Sequence, residues 1–89
     1  MSLSPLPFRR ALEEKWHERV QEAYRRYQSA SEVFRQVVEE QRRELIASSD
    51  GTQAVLNALG IENNARKDYM RALHVFTELT LNGRMPEEE

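Results

Sequence analysis

From the middle of its first half onward, the chain keeps a rhythm: Trp16, Val20, Ala23, Tyr27, Ala30, Phe34, Val37 and Gln41 stand 4, 3, 4, 3, 4, 3 and 4 residues apart. Alternating threes and fours mark the seam of an α-helix that packs lengthwise on another helix. A second run, Ala58, Glu62, Ala65, Tyr69, Ala72, Phe76 and Leu79, keeps the same rhythm. Two seams in one chain predict two helices zipped together.

The punctuation of the sequence predicts where those helices begin and end. No Gly or Pro follows Pro7 until Gly51, and the stretch between is dense in Glu, Arg, Gln, Ala and Leu, which are good helix formers. Ser4 offers an N-cap, with Pro5 and Pro7 in the first turn, where a missing N–H does no harm. Ser48-Ser49-Asp50-Gly51-Thr52 is a cluster of turn formers between two helical patterns. Asn82-Gly83, with Pro86 beyond it, reads as a helix stop. The boundaries follow: helix 1 over about 5–47, a turn over 48–52, helix 2 over about 52–82 and an acidic tail over 84–89. Ser29-x-x-Glu32 has the form of a capping box, but the apolar period passes through it unbroken. Gly60 is the one point at which helix 2 could break, and the sequence leaves that open.

Side-chain size then suggests a register. If the arms run antiparallel with residue numbers summing to 99, Phe34 meets Ala65, Ala30 meets Tyr69, Tyr27 meets Ala72 and Ala23 meets Phe76. Large faces small at four consecutive layers, as close packing of two helices requires. The fold line of that pairing lies inside the expected turn. The motif Ala-x-x-x-Tyr-x-x-Ala-x-x-Val-Phe occurs at 23–34 and again at 65–76. The offset is six heptads, so a shared packing demand accounts for the recurrence, with internal duplication as the alternative.

The apolar stripe is wider than a two-helix seam needs, since Tyr24, Val33, Val38, Leu45, Leu59, Ile61, Leu73 and Val75 flank it. Such width marks helices that meet two neighbours in a bundle. The fold class expected is therefore all-α: an antiparallel, coiled-coil-like helical hairpin that dimerises into a four-helix bundle. With the 99 pairing, Asn82 lies opposite His17, so that Phe8, Leu12 and Trp16 overhang their own partner helix. Those three, with Arg9, Arg10, Lys15 and Arg19 around them, form the candidate interaction surface.

Composition narrows the function classes. With 89 residues and three Gly there is material for one domain and none for a phosphate-cradling Gly-rich loop. The absence of Cys removes disulfides, Cys-ligated metals and a thiol nucleophile. No 18-residue apolar run is present, and MSLSPLPFRR lacks the order of a signal peptide, so neither membrane nor secretion is expected and the cytoplasm is the default. The formal charge is -2, with a mildly basic first third, well short of a phosphate-binding stripe. Glu39 with Arg43, Glu22 with Arg26 and Glu62 with Arg66 stand four apart and predict a salted, solvated face. Glu14-x-x-His17 has the spacing of a bundle di-metal motif, but such sites need it twice together with two further inward carboxylates. No cofactor, metal or catalytic residue is expected.

The function expected is that of a non-catalytic, self-associating interaction or scaffold module. Its partner is a second copy, with an unidentified protein partner as a further possibility. The alternative is a small nucleic-acid-binding bundle presenting Arg9, Arg10, Lys15, Arg19, Arg25 and Arg26.

Overall fold

The computed structural model of the chain describes residues 6–44 and 49–86. Helix α1 runs Leu6–Glu44 and helix α2 runs Ser49–Asn82, and the two pack side by side as an antiparallel hairpin. The result is a rod of 66 × 17 × 17 Å. Among the described residues every regular element is helical. The caps expected at Ser4 and Pro5, and the end of helix 1 over 45–47, lie outside the described residues.

The seam residues hold the arms together. Ala23, Ala58, Ala72 and Leu79 are buried, and Val20, Tyr69, Val75 and Phe76 pack against the central cluster. Tyr27, Ala30, Phe34, Val37 and Ala65 are half-buried, as are the polar seam residues Gln41 and Glu62. At the end of α2, Gly83 has φ 66° and its N–H donates to the carbonyl of Leu79 at 3.1 Å, while Arg84 N–H donates to that of Glu78 at 3.1 Å. This left-handed ending gives partners to carbonyls that a helix terminus leaves open.

Three expectations are corrected. The first is the turn: α2 already includes Ser49, Asp50, Gly51 and Thr52, so these four residues belong to the helix and not to a turn. Ser and Asp are favoured at helix starts for the same reason that they are favoured in turns, because short side chains bond to nearby backbone N–H groups. Composition alone does not separate the two uses.

The second correction is the register. The His17 and Phe76 rings lie 5.6 Å apart and the Tyr24 and Tyr69 rings 5.1 Å apart; both pairs of residue numbers sum to 93. Arg9 lies against Gly83, a pair summing to 92. The arms have thus slipped by about one heptad from the 99 pairing, which moves Phe76 to His17 and Tyr69 to Tyr24 and Tyr27. Seams that repeat every seven residues keep large opposite small after a shift of seven, so size alternation cannot choose between the two registers. Burial does choose. At the observed register Leu12 (6% exposed) and Trp16 (5%) join Leu79 (0%) in the core, whereas the 99 pairing leaves them bare.

The third correction follows from the second. Helix α1 has 39 residues and α2 has 34, so the arms nearly match and the apolar overhang disappears. Only Phe8, at 53% exposed, remains uncovered of the three residues expected there. At the beginning of the acidic tail, Arg84, Met85 and Pro86 line one depression with Trp16. Gly60 lies inside unbroken helix, which settles the point that the sequence left open.

Candidate interaction surface

On a helix with 3.6 residues per turn, alternate seam positions lie on opposite edges of the contact stripe. In α1 the larger residues Val20, Tyr27 and Phe34 alternate with Ala23 and Ala30, and in α2 Tyr69 and Phe76 alternate with Ala65 and Ala72. Large side chains therefore collect on one edge of the hairpin and methyl groups on the other.

Aromatic rings pack along the large edge, beside a shallow depression of about 400 Å³ between His17, Phe76 and Thr80. Tyr27 stacks on Tyr69 at 6.2 Å and 8°, Tyr24 leans on the other side of Tyr69 at 47°, and His17 tilts against Phe76 at 49°. Ring geometries of this kind add favourable quadrupole contacts to simple burial. His17, considered above with Glu14 as a fragment of a metal motif, thus flanks the core. Among the described residues no group of three or more His, Cys, Asp and Glu is placed to hold a metal ion.

The small edge is open. Ala23, Ala30 and Ala65 floor a groove of about 280 Å³ whose rims carry Arg26, Ile61 and Asp68. A second depression of about 350 Å³ shares Ala23, Arg26 and Asp68 with it and reaches Trp16 and Ala72. A third, about 430 Å³, begins again at Trp16 and Arg71 and runs to Met85 and Pro86. Shared residues make these one trough along a single edge of the rod. Ile61 is 61% exposed, and Val33, two helical turns beyond Arg26 on the same row, is also exposed. The Trp16 indole Nε1, at the junction of two of the depressions, is buried without a hydrogen-bond partner among the described residues, and Arg19 lies over its ring at 4.4 Å, within cation–π range.

The candidate interaction residues are dispersed rather than assembled. Leu12 and Trp16 are core. Arg9 donates from Nη2 to the Leu79 carbonyl at 3.2 Å and pairs with Glu13 at 3.5 Å, so it works as a clamp inside the hairpin. Arg10, Lys15 and Arg19 are exposed, with Arg10 lining the depression beside His17 and Phe76 on the large edge. Arg25 and Arg26 both pair with Glu22, at 3.2 and 3.6 Å, and Arg43 pairs with Glu39 at 3.5 Å. Arg66 donates to Asn63 at 2.7 Å in place of the expected Glu62 pair. Sequence reasoning named Val33 and Ile61 as flanking apolar residues but missed the trough between them. The signal was present in the confinement of alanine to alternate seam positions.

Among the described residues no helix is long and apolar enough to cross a membrane. Comparison with protein-family models, with curated protein sequences and with solved structures gave no match.

Proposed function

We propose that this chain is a non-catalytic helical module that acts by self-association, two hairpins packing into a four-helix bundle. The observation that carries the reading is surface area. The hairpin exposes 7020 Å² for 10.5 kDa, against about 5,400 Å² for a compact monomer of that mass. An elongated hairpin therefore keeps surface enough to bury the roughly 800 Å² per partner of a standard interface. Exposed Val33 and Ile61 supply apolar area for such burial, and a closed two-fold pair is the commonest way to use it.

Nucleic-acid binding draws less support. Arg9 pairs with Glu13, and Arg25 and Arg26 share Glu22, which reduces the charge left to release phosphate counterions.

Sedimentation equilibrium at tens of micromolar tests the proposal. A mass of twice 10.5 kDa is expected, and a monomer throughout that range would refute it.

A further inference from the structure

The trough has rims of different character, and that difference points to a specific occupant. Its α1 rim carries Arg19 and Arg26 in one row, two turns apart, with Val33 next in the row. Its α2 rim carries Asp68, with Ile61 two turns before it and Arg71 one turn after it. In the observed register Arg26 is level with Asp68 and Val33 with Ile61, since both pairs of numbers sum to 94. Arg26 turns back to Glu22 at 3.6 Å, and among the described residues Asp68 has no ion-pair partner. A carboxylate thus borders an apolar trough, level with an arginine that does not reach it.

We infer that the trough is the seat of a second copy of this chain, related by a two-fold axis parallel to the rod, with the bends of both hairpins at the same end. This assignment of face and orientation rests on the self-association proposed above. Rotation about the long axis lays α1 of each copy on α2 of the other and keeps every residue at its own level. Arg26 then meets the partner's Asp68, and Val33 meets the partner's Ile61, each contact occurring twice. The floor of Ala23, Ala30 and Ala65 lets the four backbones approach closely, since alanine keeps interaxial distances short. All neighbouring helices run antiparallel, which also opposes their dipoles.

The competing face-to-face arrangement turns the second copy end over end. It lays α1 on α1, so that the row of Arg19 and Arg26 confronts its own copy across the contact. That pairing separates Arg26 from the partner's Asp68 and gives up the opposite-charge contact of the same-end arrangement.

The chain is free of cysteine, so Arg43→Cys places a single spin label near the bend end of α1. For the same-end dimer the distance between labels is roughly 2 to 3 nm, set by helix spacing plus the label arms. For the end-over-end dimer it is about 5 nm, because residue 43 then lies some 17 residues from the axis in each copy at 1.5 Å per residue. Ile61→Glu should weaken dimerisation at least tenfold while leaving helicity intact, since that side chain is solvent-facing within the hairpin. Asp68→Arg alone should also weaken it, and the double reversal Arg26→Asp with Asp68→Arg should recover most of the loss. Leu81→Glu, exposed away from the trough, should change nothing.

A dimer that keeps its affinity with Ile61→Glu, shows no rescue by the double reversal, or gives the 5 nm distance overturns the assignment of face and orientation while leaving self-association standing. An unmodified chain that remains monomeric overturns both.

Discussion

The guanidinium of Arg9 donates a hydrogen bond to the main-chain carbonyl of Leu79, 3.2 Å away and 70 residues along the chain. The same carbonyl accepts the N–H of Gly83, and both terminal nitrogens of Arg9 lie about a van der Waals distance, 3.5 Å, from where a Cβ on Gly83 would stand. A cation therefore sits at the negative end of α2 and ties it to the first turns of α1.

Arg9→Met keeps much of the aliphatic stem and removes the charged donor. We expect a loss of about 1 kcal/mol, at the low end for a charge-assisted bond because the side chain is partly solvated. Arg9→Lys should recover only part of it, since an ammonium lacks the forked geometry that reaches Leu79 and Gly83 together. Urea unfolding monitored by circular dichroism, on all three proteins at one concentration, checks the order.

The glycines of α2 should respond with opposite signs. Gly60 is helical and a Cβ there meets nothing within 4 Å, so Gly60→Ala should stabilise by about 0.5 to 1 kcal/mol. Gly83 holds φ at +66°, and Gly83→Ala should destabilise by about 1 kcal/mol from backbone strain alone. Melting temperatures that move in the same direction would contradict the local geometry of one of the two sites.

Trp16 is buried, yet its indole N–H has no acceptor among the described residues. Trp16→Phe removes an unsatisfied donor along with some apolar area, so the two effects oppose and the net change should stay within about 1.5 kcal/mol. Trp16→Ala creates a cavity and should cost about 3 to 5 kcal/mol. Chemical denaturation of both variants would expose an overlooked partner of Nε1 if Trp16→Phe proved nearly as harmful as Trp16→Ala.

Ala72 is buried at the seam, whereas Ala54 is exposed on the same helix. Ala72→Leu should overpack the core and cost about 1 to 3 kcal/mol, and Ala54→Leu should remain within about 0.5 kcal/mol of the parent. Equal effects in thermal unfolding would mean that the two faces of α2 are not distinguished by packing.

Much of the architecture was legible in the residues. The spacing from Trp16 to Gln41 and from Ala58 to Leu79 identified both helices and their contacting stripes, and Gly83 marked the end of α2. The bend was misplaced because Ser49 and Asp50 serve a helix start as readily as a turn. The register was missed by about one heptad because the periodic signal that reveals a seam repeats after seven residues. What fixed it was not periodic: Leu12 and Trp16 needed cover, and α2 could supply it only by sliding toward the beginning of α1. Arg9 carried no sequence signal at all, since a side chain that reaches the carbonyl of a residue in the other arm cannot be recognised before the arms are aligned. The trough was written in the placement of the alanines, but one helix read alone shows a seam and not the empty edge that two such helices make together.

The clamp between Arg9 and the end of α2 has a geometric corollary. It brings residues 9 and 83 to one pole of the rod, so a peptide grafted before the first and another grafted after the second would leave side by side. In a pair with both bends at the opposite pole, four such grafts would emerge as a single cluster, which makes the hairpin a compact handle for gathering whatever is attached to it.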